Sequence, residues 1–304
     1  MDLSVNIIGT GNLGKTIGKL IIKNSVARIQ GIFNRSQNSS KNAIQFIGSG
    51  TLYSDITSLP NADITFITTP DDTLEEVCLQ FSHNKNIKPG AIIVHCSGAL
   101  SSDVLEPMKH LGCYVASVHP MHSFAQPALS VEQYSGTFCA VEGDKEALDV
   151  MIPVLNAIGS VNYSIDKEKK HLYHAAGVFA SNYVVTLAQQ ALVCLRGAGV
   201  ENDIAMRVIT NLMMGSVLNL QQTLSPEKSL TGPIQRGDTL TVQKHLQALD
   251  YPKQQALYAM LGQITLDLTH HSREKQEALR ALFVGKKEEV NFEQSLRDDL
   301  VQMP

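Results

Sequence analysis

Short apolar runs alternate with helical patterns through the first half of the chain. Residues 4–9 (SVNIIG) read as a buried strand, and residues 12–24 as a helix with Leu13, Ile17, Leu20 and Ile21 on one face. Further strands are expected at 29–34, 50–53, 63–68 (stopped by Pro70), 91–95, 114–118, 137–141 and 161–165. Strands alternating with helices predict a mostly parallel sheet. The later strands show no long helices between them, which leaves antiparallel pairing open there. Beyond Asp166 the pattern becomes helical. One long helix is expected from Lys167 to about Arg196, ended by Gly197-Ala198-Gly199, and a second over 201–224. Residues 225–237 read as a loop, Asp238 as the N-cap of a helix running through Gln247, and the remainder to about Phe283 as helical. The expected organisation is an α/β domain over 1–165 followed by an all-α domain over 166–304.

Composition narrows the function classes. The 304 residues suffice for about two domains. With 43% hydrophobic and 18% charged residues, the chain is too apolar for disorder. A net charge of -4 and a pI near 6.2 argue against a general nucleic-acid binder. No apolar run reaches the length of a membrane span, and the start lacks the look of a signal peptide. Five scattered cysteines without a CxxC point to a reducing, cytoplasmic setting rather than a disulfide or zinc framework. The charged residues of the last turns, Lys286 to Glu289 and Arg297, Asp298 and Asp299, read as a solvated helix end.

Gly9-Thr10-Gly11-Asn12-Leu13-Gly14 is a GxGxxG set between a buried strand and an amphipathic helix, the context that makes it a dinucleotide-binding, Rossmann-type signal. Gly9 permits the turn, Gly11 the approach of a pyrophosphate, and Gly14 the packing of helix on strand. The phosphates would meet free N–H groups at the helix N-terminus. An NAD site usually carries Asp or Glu at the end of the second strand, to bind the ribose 2′-hydroxyl. Here Asn34-Arg35-Ser36 stands instead, a guanidinium and a hydroxyl suited to a 2′-phosphate, so NADP (NADPH) is the expected cofactor. Thr69 and Pro70 follow the fourth strand and would lie against it. Asp71 or Asp72 reads equally as a cap of the next helix.

The candidate chemistry sits at later strand ends. Ser97 ends the fifth strand region (His95-Cys96-Ser97-Gly98) and His119 the sixth (His119-Pro120-Met121-His122), where open α/β sheets bind ligands. A histidine there can move the proton that accompanies hydride transfer. On the long helix, Lys170 and His174 are four residues apart and Asn182 eight further on, forming one polar stripe. Arg236, in LTGPIQRGD, is a candidate partner for a substrate anion. His119/His122 and His171/His174 both make HxxH, but no carboxylate completes a metal set, so no metal is expected.

Together, GTGNLG, HCSGAL, SVHPMHSF, YHAAGVFASNY and LTGPIQRGD make the chain resemble, over nearly its whole length, Rossmann-like proteins with a C-terminal domain of unknown function 2520. The first half is similar to the wider 6-phosphogluconate dehydrogenase-like superfamily, with pyrroline-5-carboxylate reductase, ketopantoate reductase and deazaflavin-dependent NADP oxidoreductases. The resemblance implies a Rossmann domain, an all-helical second domain, a homodimer with helices crossing between subunits, and NADP-linked redox chemistry. His119-Pro120-Met121 is similar to the HPM motif of prephenate dehydrogenases, whose histidine contacts the reacting hydroxyl. Lys170 and His174 resemble the Lys-x-x-x-Asn of β-hydroxyacid dehydrogenases, with His in place of Asn and without the glycine-rich motif that precedes that Lys.

The expectation is an NADP-dependent oxidoreductase passing hydride to or from a small polar, anionic carbonyl, imine or alcohol. His119 would handle the proton, Ser97 and Asn182 would orient the substrate, and Lys170 or Arg236 would pair with its charge. The alternatives are a non-catalytic NADP-binding sensor and a metal-dependent hydrolase on the same scaffold.

Overall fold

The structure is a computed structural model that describes residues 3–284. The charged segment at Lys286–Glu289 and Arg297–Asp299 therefore lies outside the described residues. In chain order the first half comprises β1 (Ser4–Ile8), α1 (Asn12–Lys23), β2 (Arg28–Phe33), α2 (Gln37–Ile47), β3 (Thr51–Tyr53), β4 (Ile64–Ile67), α3 (Asp71–Ser82), β5 (Ile92–His95), α4 (Glu106–Lys109), β6 (Tyr114–Pro120), α5 (Pro127–Gln133), β7 (Phe138–Gly143), α6 (Lys145–Ala157) and β8 (Val161–Ser164). The eight strands form one sheet in the order β3-β2-β1-β4-β5-β6-β7-β8.

Every residue of β1 and β4 is buried, because helices cover both faces of this sheet. Val5, Ile7 and Phe66 pack on one side with Ile17, Leu20 and Ile21 of α1. Ile8, Ile67 and Ile93 pack on the other with Leu74 and Phe81 of α3. The chain winds outward from β1 toward β3 and from β4 toward β8, so the carboxyl ends of β1 and β4 open at a topological switch point. All strand pairs are parallel except β6 with β7. The late part of the sheet departs from the expectation at one point. β7 and β8 are joined by α6, a helix of 13 residues, and therefore run parallel. Its Pro153 and the mixed run VMIPV hide the helical period.

From β8 onward the described chain is helical: α7 (Lys170–Gly177), a π-helical segment (Val178–Asn182), α8 (Tyr183–Gly197), α9 (Asn202–Thr223), α10 (Pro226–Ser229), α11 (Pro233–Arg236), α12 (Thr239–Ala248), α13 (Pro252–Leu266) and α14 (Arg273–Val284). Two short helices thus occupy the expected loop at 225–237. Asp238 caps α12, accepting from Thr241 N at 3.0 Å. Two compact units divide after Tyr183, later than the change of pattern at 165, because α7 packs its polar side chains onto the sheet. The second unit has its own small core of Val242, Leu266, Leu279 and Phe283.

Large apolar side chains remain exposed on its helices, among them Val185 (71%) on α8 and Leu212 (66%) on α9. The helical stretch Lys167–Gly197, 31 residues, is long and apolar enough to cross a membrane by length and composition alone. This corrects the expectation that no apolar run reaches the length of a membrane span.

Candidate active site

A cleft of about 750 Å³ opens at the carboxyl ends of β1, β2, β4 and β5. The glycine loop forms one wall. Gly9 adopts φ +85°, and a side chain there would strike Thr69. At Gly14 a Cβ would collide with Gly9 O and Thr68 Oγ1, so only glycine lets the helix approach the strand this closely. At Gly11 a Cβ would meet nothing within 4 Å: its missing side chain leaves space that faces the cleft. No side chain caps the N-terminus of α1, whose first N–H groups are left for a ligand. Thr69 Oγ1 is buried without a partner among the described residues, also on this cleft. Thr10, Asn12, Leu13 and Pro70 line it too.

Asn34 works behind the wall rather than in the cleft alone. Its Oδ1 accepts from Thr10 N at 2.6 Å, and its Nδ2 donates to Thr10 Oγ1 at 2.7 Å and Ser40 Oγ at 2.9 Å. The amide thus fixes the glycine loop to the end of β2. Arg35 and Ser36 are exposed on the cleft, beside Ser39 and the start of α2. Asp71 and Asp72 occupy the first turn of α3, but Pro70 is its N-cap and no side chain caps it. Their charges instead complement the helix dipole.

Two rows of side chains on one face of the sheet carry the rest of the site. His95, Ser117 and Glu142 are register partners on β5, β6 and β7. His95 is buried, and its Nδ1 accepts from Ser97 N at 3.1 Å while Nε2 lies 3.1 Å from Ser101 O. That pairing requires the neutral Nε2–H tautomer. Burial, then the Lys170 charge, lowers its pKa to about 3, in keeping with a neutral ring. Ser97 lines the cleft, but its Oγ accepts from Ala99 N and Leu100 N, leaving only the hydroxyl proton to offer.

Lys170 is not a substrate ligand in this structure. Its side chain is 1% exposed, beneath the β5 loop. Nζ donates to Ser97 O at 2.9 Å and to Ser117 Oγ, and lies 3.6 Å from Glu142 Oε1. Glu142 also accepts from Ser102 N at 2.8 Å and Ser102 Oγ at 2.7 Å. Burial draws the Lys170 pKa down, against the pull of Glu142. Helical periodicity rightly put Lys170 and His174 on one face, yet could not tell that Lys170 dips into the sheet while His174 stops at the cavity.

His119 and His174 line the cleft and a second cavity of about 300 Å³, with Met121, His122 and Ser123 from the β6 end and Gly177, Val178, Ala180, Ser181 and Asn182 from the long helix. An α-helix shows a cavity only every third or fourth residue. The wider π turn here presents five of six successive residues, and such turns recur at functional sites. The two imidazoles stand 6.0 Å apart, centroid to centroid. Gly98 lies against both: an added Cβ would be 2.6 Å from His174 Nδ1 and 2.8 Å from His119 Nε2. His119 Nδ1 is 2.8 Å from the Tyr173 hydroxyl. Burial, Lys170 and His174 together bring the His119 pKa down to about 4.

Of the expected residues, then, Gly9 to Leu13, Asn34, Arg35, Ser36, Thr69, Pro70, Ser97, His119 and His174 meet at the cleft, and Asn182 at the adjoining cavity, while Gly14 packs behind the loop against Gly9 O and Thr68. Arg236 is exposed and belongs to the second unit. Among the described residues no three His, Cys, Asp or Glu come together as a metal site, and His171 is exposed. Tyr173 and Gly98 escaped the sequence reading. Tyr173 sits one residue before His174, off the stripe that an i, i+4 count selects, and only the packing of α7 on β6 shows that it meets His119.

Family comparison assigns residues 1–120 to a Rossmann-like domain and residues 137–265 to the domain of unknown function 2520. The chain is a Rossmann-like domain joined to a DUF2520 domain. Among solved structures, this DUF2520 chain is similar to a protein of Thermotoga maritima, at 27% identity and TM-score 0.67, over 87% of this chain and 97% of that one. It is similar to a candidate NADP oxidoreductase of Bacteroides fragilis, at 22% and 0.74, over 88% and 98%. An imine reductase of Myxococcus stipitatus in complex with NADP+ matches at 13% and 0.63, over 91% and 94%. At such identities the last two share the fold alone with this chain. No curated protein matches it.

Proposed function

We propose that the protein is an NADP(H)-dependent oxidoreductase that transfers hydride to or from a carbonyl, imine or alcohol carbon of a small polar substrate. The observation that carries this reading is the junction of two cavities at His119 and His174. One cavity has the walls of a dinucleotide site, and the other presents Ser123, Ser181 and Asn182 beside the histidines. A cofactor sensor needs only the first. The pyrophosphate fits the space at Gly11 and the uncapped α1 turn, and Arg35 with Ser36 suits a 2′-phosphate. The nicotinamide, when bound, supplies or accepts the hydride. His119 meets the substrate heteroatom, and Ser97 and Asn182 orient it. Lys170, suggested as a partner for an anionic substrate, lines neither cavity and is held instead by Ser97 O and Glu142. The free cysteines suit a reducing compartment, the cytoplasm.

Titration with NADPH and NADH, followed by nicotinamide fluorescence and thermal stability, tests the cofactor reading. NADPH is expected to bind more tightly, and Arg35→Asp to weaken NADPH by about 1.5–3 kcal/mol, the worth of a hydrogen bond to a charged group, while sparing NADH. Absence of binding by either nucleotide would sink the assignment. A screen of carbonyl and imine compounds with NADPH follows.

The bare apolar faces of α8 and α9 are read as the seat of a second copy of the chain rather than of lipid or nucleic acid. They carry Val185, Leu212, Met214 and Val217 in the open, a surface that monomers rarely leave uncovered. Sedimentation is expected to give twice 33.2 kDa, and Leu212→Lys to shift it toward one copy. A monomer at all concentrations would remove this reading.

A further inference from the structure

The segment between β6 and α5, residues 121–126, walls the second cavity with Met121, His122 and Ser123. Two tight turns fold it. His122 N donates to Pro120 O at 2.9 Å, and Ala125 N donates to Ser123 O at 3.0 Å. At its start Met121 N donates to Phe138 O of β7 at 2.8 Å, and at its end Gln126 O accepts from Ser130 N of α5 at 2.9 Å. Between those ends, neither the sheet nor α5 gives the segment a hydrogen bond among the described residues. Asn12 does. Its Nδ2 donates to Phe124 O at 2.8 Å and to Ala125 O at 3.0 Å. The remaining hold is apolar: the His122 and Phe124 rings meet edge to face with centroids 5.0 Å apart, and Phe124 packs on the sheet core.

Asn12 is also the first residue of α1 and lines the cleft. Its backbone thus belongs to the uncapped turn that suits a pyrophosphate, while its side chain holds the wall of the other cavity. Hydrogen bonds weaken steeply as their angle closes, so one amide serves two carbonyls only while Asn12 keeps its place. An anion seated on the first turn of α1 would keep it there. We propose that Asn12 is a positioning residue, whose amide passes the order imposed on the glycine loop by a bound dinucleotide to residues 121–126, and so sets the wall of the substrate cavity. The inference rests on the oxidoreductase reading above, which takes the first cavity for cofactor and the second for substrate. It also gives the HxxH of residues 119–122 a use other than metal binding. His119 stands on β6 and His122 in the held segment, so the amide fixes one histidine's surroundings relative to the other. Coupling between two sites is reciprocal, so substrate in the cavity strengthens the hold on the dinucleotide by the same factor.

Hydrogen–deuterium exchange read by mass spectrometry tests this with NADPH alone. In the wild type, NADPH is expected to slow exchange in residues 9–20 and in residues 121–126. Asn12→Ala keeps the backbone N–H groups of the turn and removes the amide. NADPH should still protect residues 9–20 in this variant, while 121–126 exchange as in the free protein. Asn12→Leu keeps the bulk but lacks the donors, and should behave alike. A substrate from the screen gives a second readout. Both variants should raise its KM by about 10-fold, within the roughly 5- to 150-fold range of coupling between sites, and lower kcat by a smaller factor. A merely structural role would lower the melting temperature and leave NADPH protection of 121–126 intact. Protection of 121–126 that survives in both variants, or that is missing from the wild type while 9–20 is protected, overturns the role of Asn12 and leaves the cofactor reading standing. No protection of 9–20 in the wild type would remove the cofactor reading, and the coupling with it.

Discussion

Replacing Gly98 with alanine should lower NADPH-dependent turnover by about 100-fold or more, the loss that follows when reacting groups are displaced by about 1 Å. Gly98 does not need its glycine for backbone reasons, since its φ is not in the left-handed region. It needs it for room. A methyl group there would sit 2.6 Å from His174 Nδ1 and 2.8 Å from His119 Nε2, closer than nonbonded atoms approach. Neither ring can retreat freely, because His119 is tied to Tyr173 and both pack together. The phosphate-facing walls are formed elsewhere, so NADPH affinity should change little. Turnover equal to wild type, with NADPH still bound, would show that the two histidines do not act on the substrate. The measurement is steady-state kinetics beside a fluorescence titration.

The largest stability effect is expected at Lys170, where Lys170→Met should cost about 3–5 kcal/mol in urea-induced unfolding, as when one member of a buried ion pair is removed. Lys170 and Glu142 are 1% and 6% exposed, so neither charge reaches solvent that could compensate for the other. With the ammonium gone, Glu142 keeps only its two donors from Ser102. Ser97 O and Ser117 Oγ lose their donor as well. The double variant Lys170→Met/Glu142→Gln should recover much of the loss, because no lone buried charge remains. A single variant as stable as wild type, or a double variant less stable than both singles, would contradict this account.

Much of the fold was legible because its signals are local. GTGNLG announces its own turn, and five buried residues before it, SVNII, can only be a central strand. That Arg35 would stand at the cleft was readable as well, at a position counted from the glycines. The site's working parts were less legible, because nonlocal register decides them. The sequence places Tyr173 and His119 on separate elements, 54 residues apart, and only the packing of α7 on the sheet brings the hydroxyl to 2.8 Å from Nδ1. Lys170 shows the same limit: a helix face can be counted, but whether it meets a cavity or a buried carboxylate 28 residues upstream cannot. α6 was overlooked since Pro153 interrupts its apolar period, and the membrane-length stretch because polar residues such as Asn182, Gln189 and Gln190 divide it.

The bond from Lys170 to Ser97 O has an electrostatic consequence at the cleft. Peptide groups are planar, and none in the described chain is cis. With the Ser97 carbonyl turned down onto a buried ammonium, the Gly98 N–H of the same amide points the opposite way, and it donates to no group among the described residues. An adjacent cation polarises an amide, deepening the partial positive charge at its hydrogen. The lysine thus adds positive potential at the cleft floor through an amide dipole, where in the proposed reduction electron density would gather on the oxygen or nitrogen of the substrate being reduced, while the ammonium itself stays out of reach of solvent.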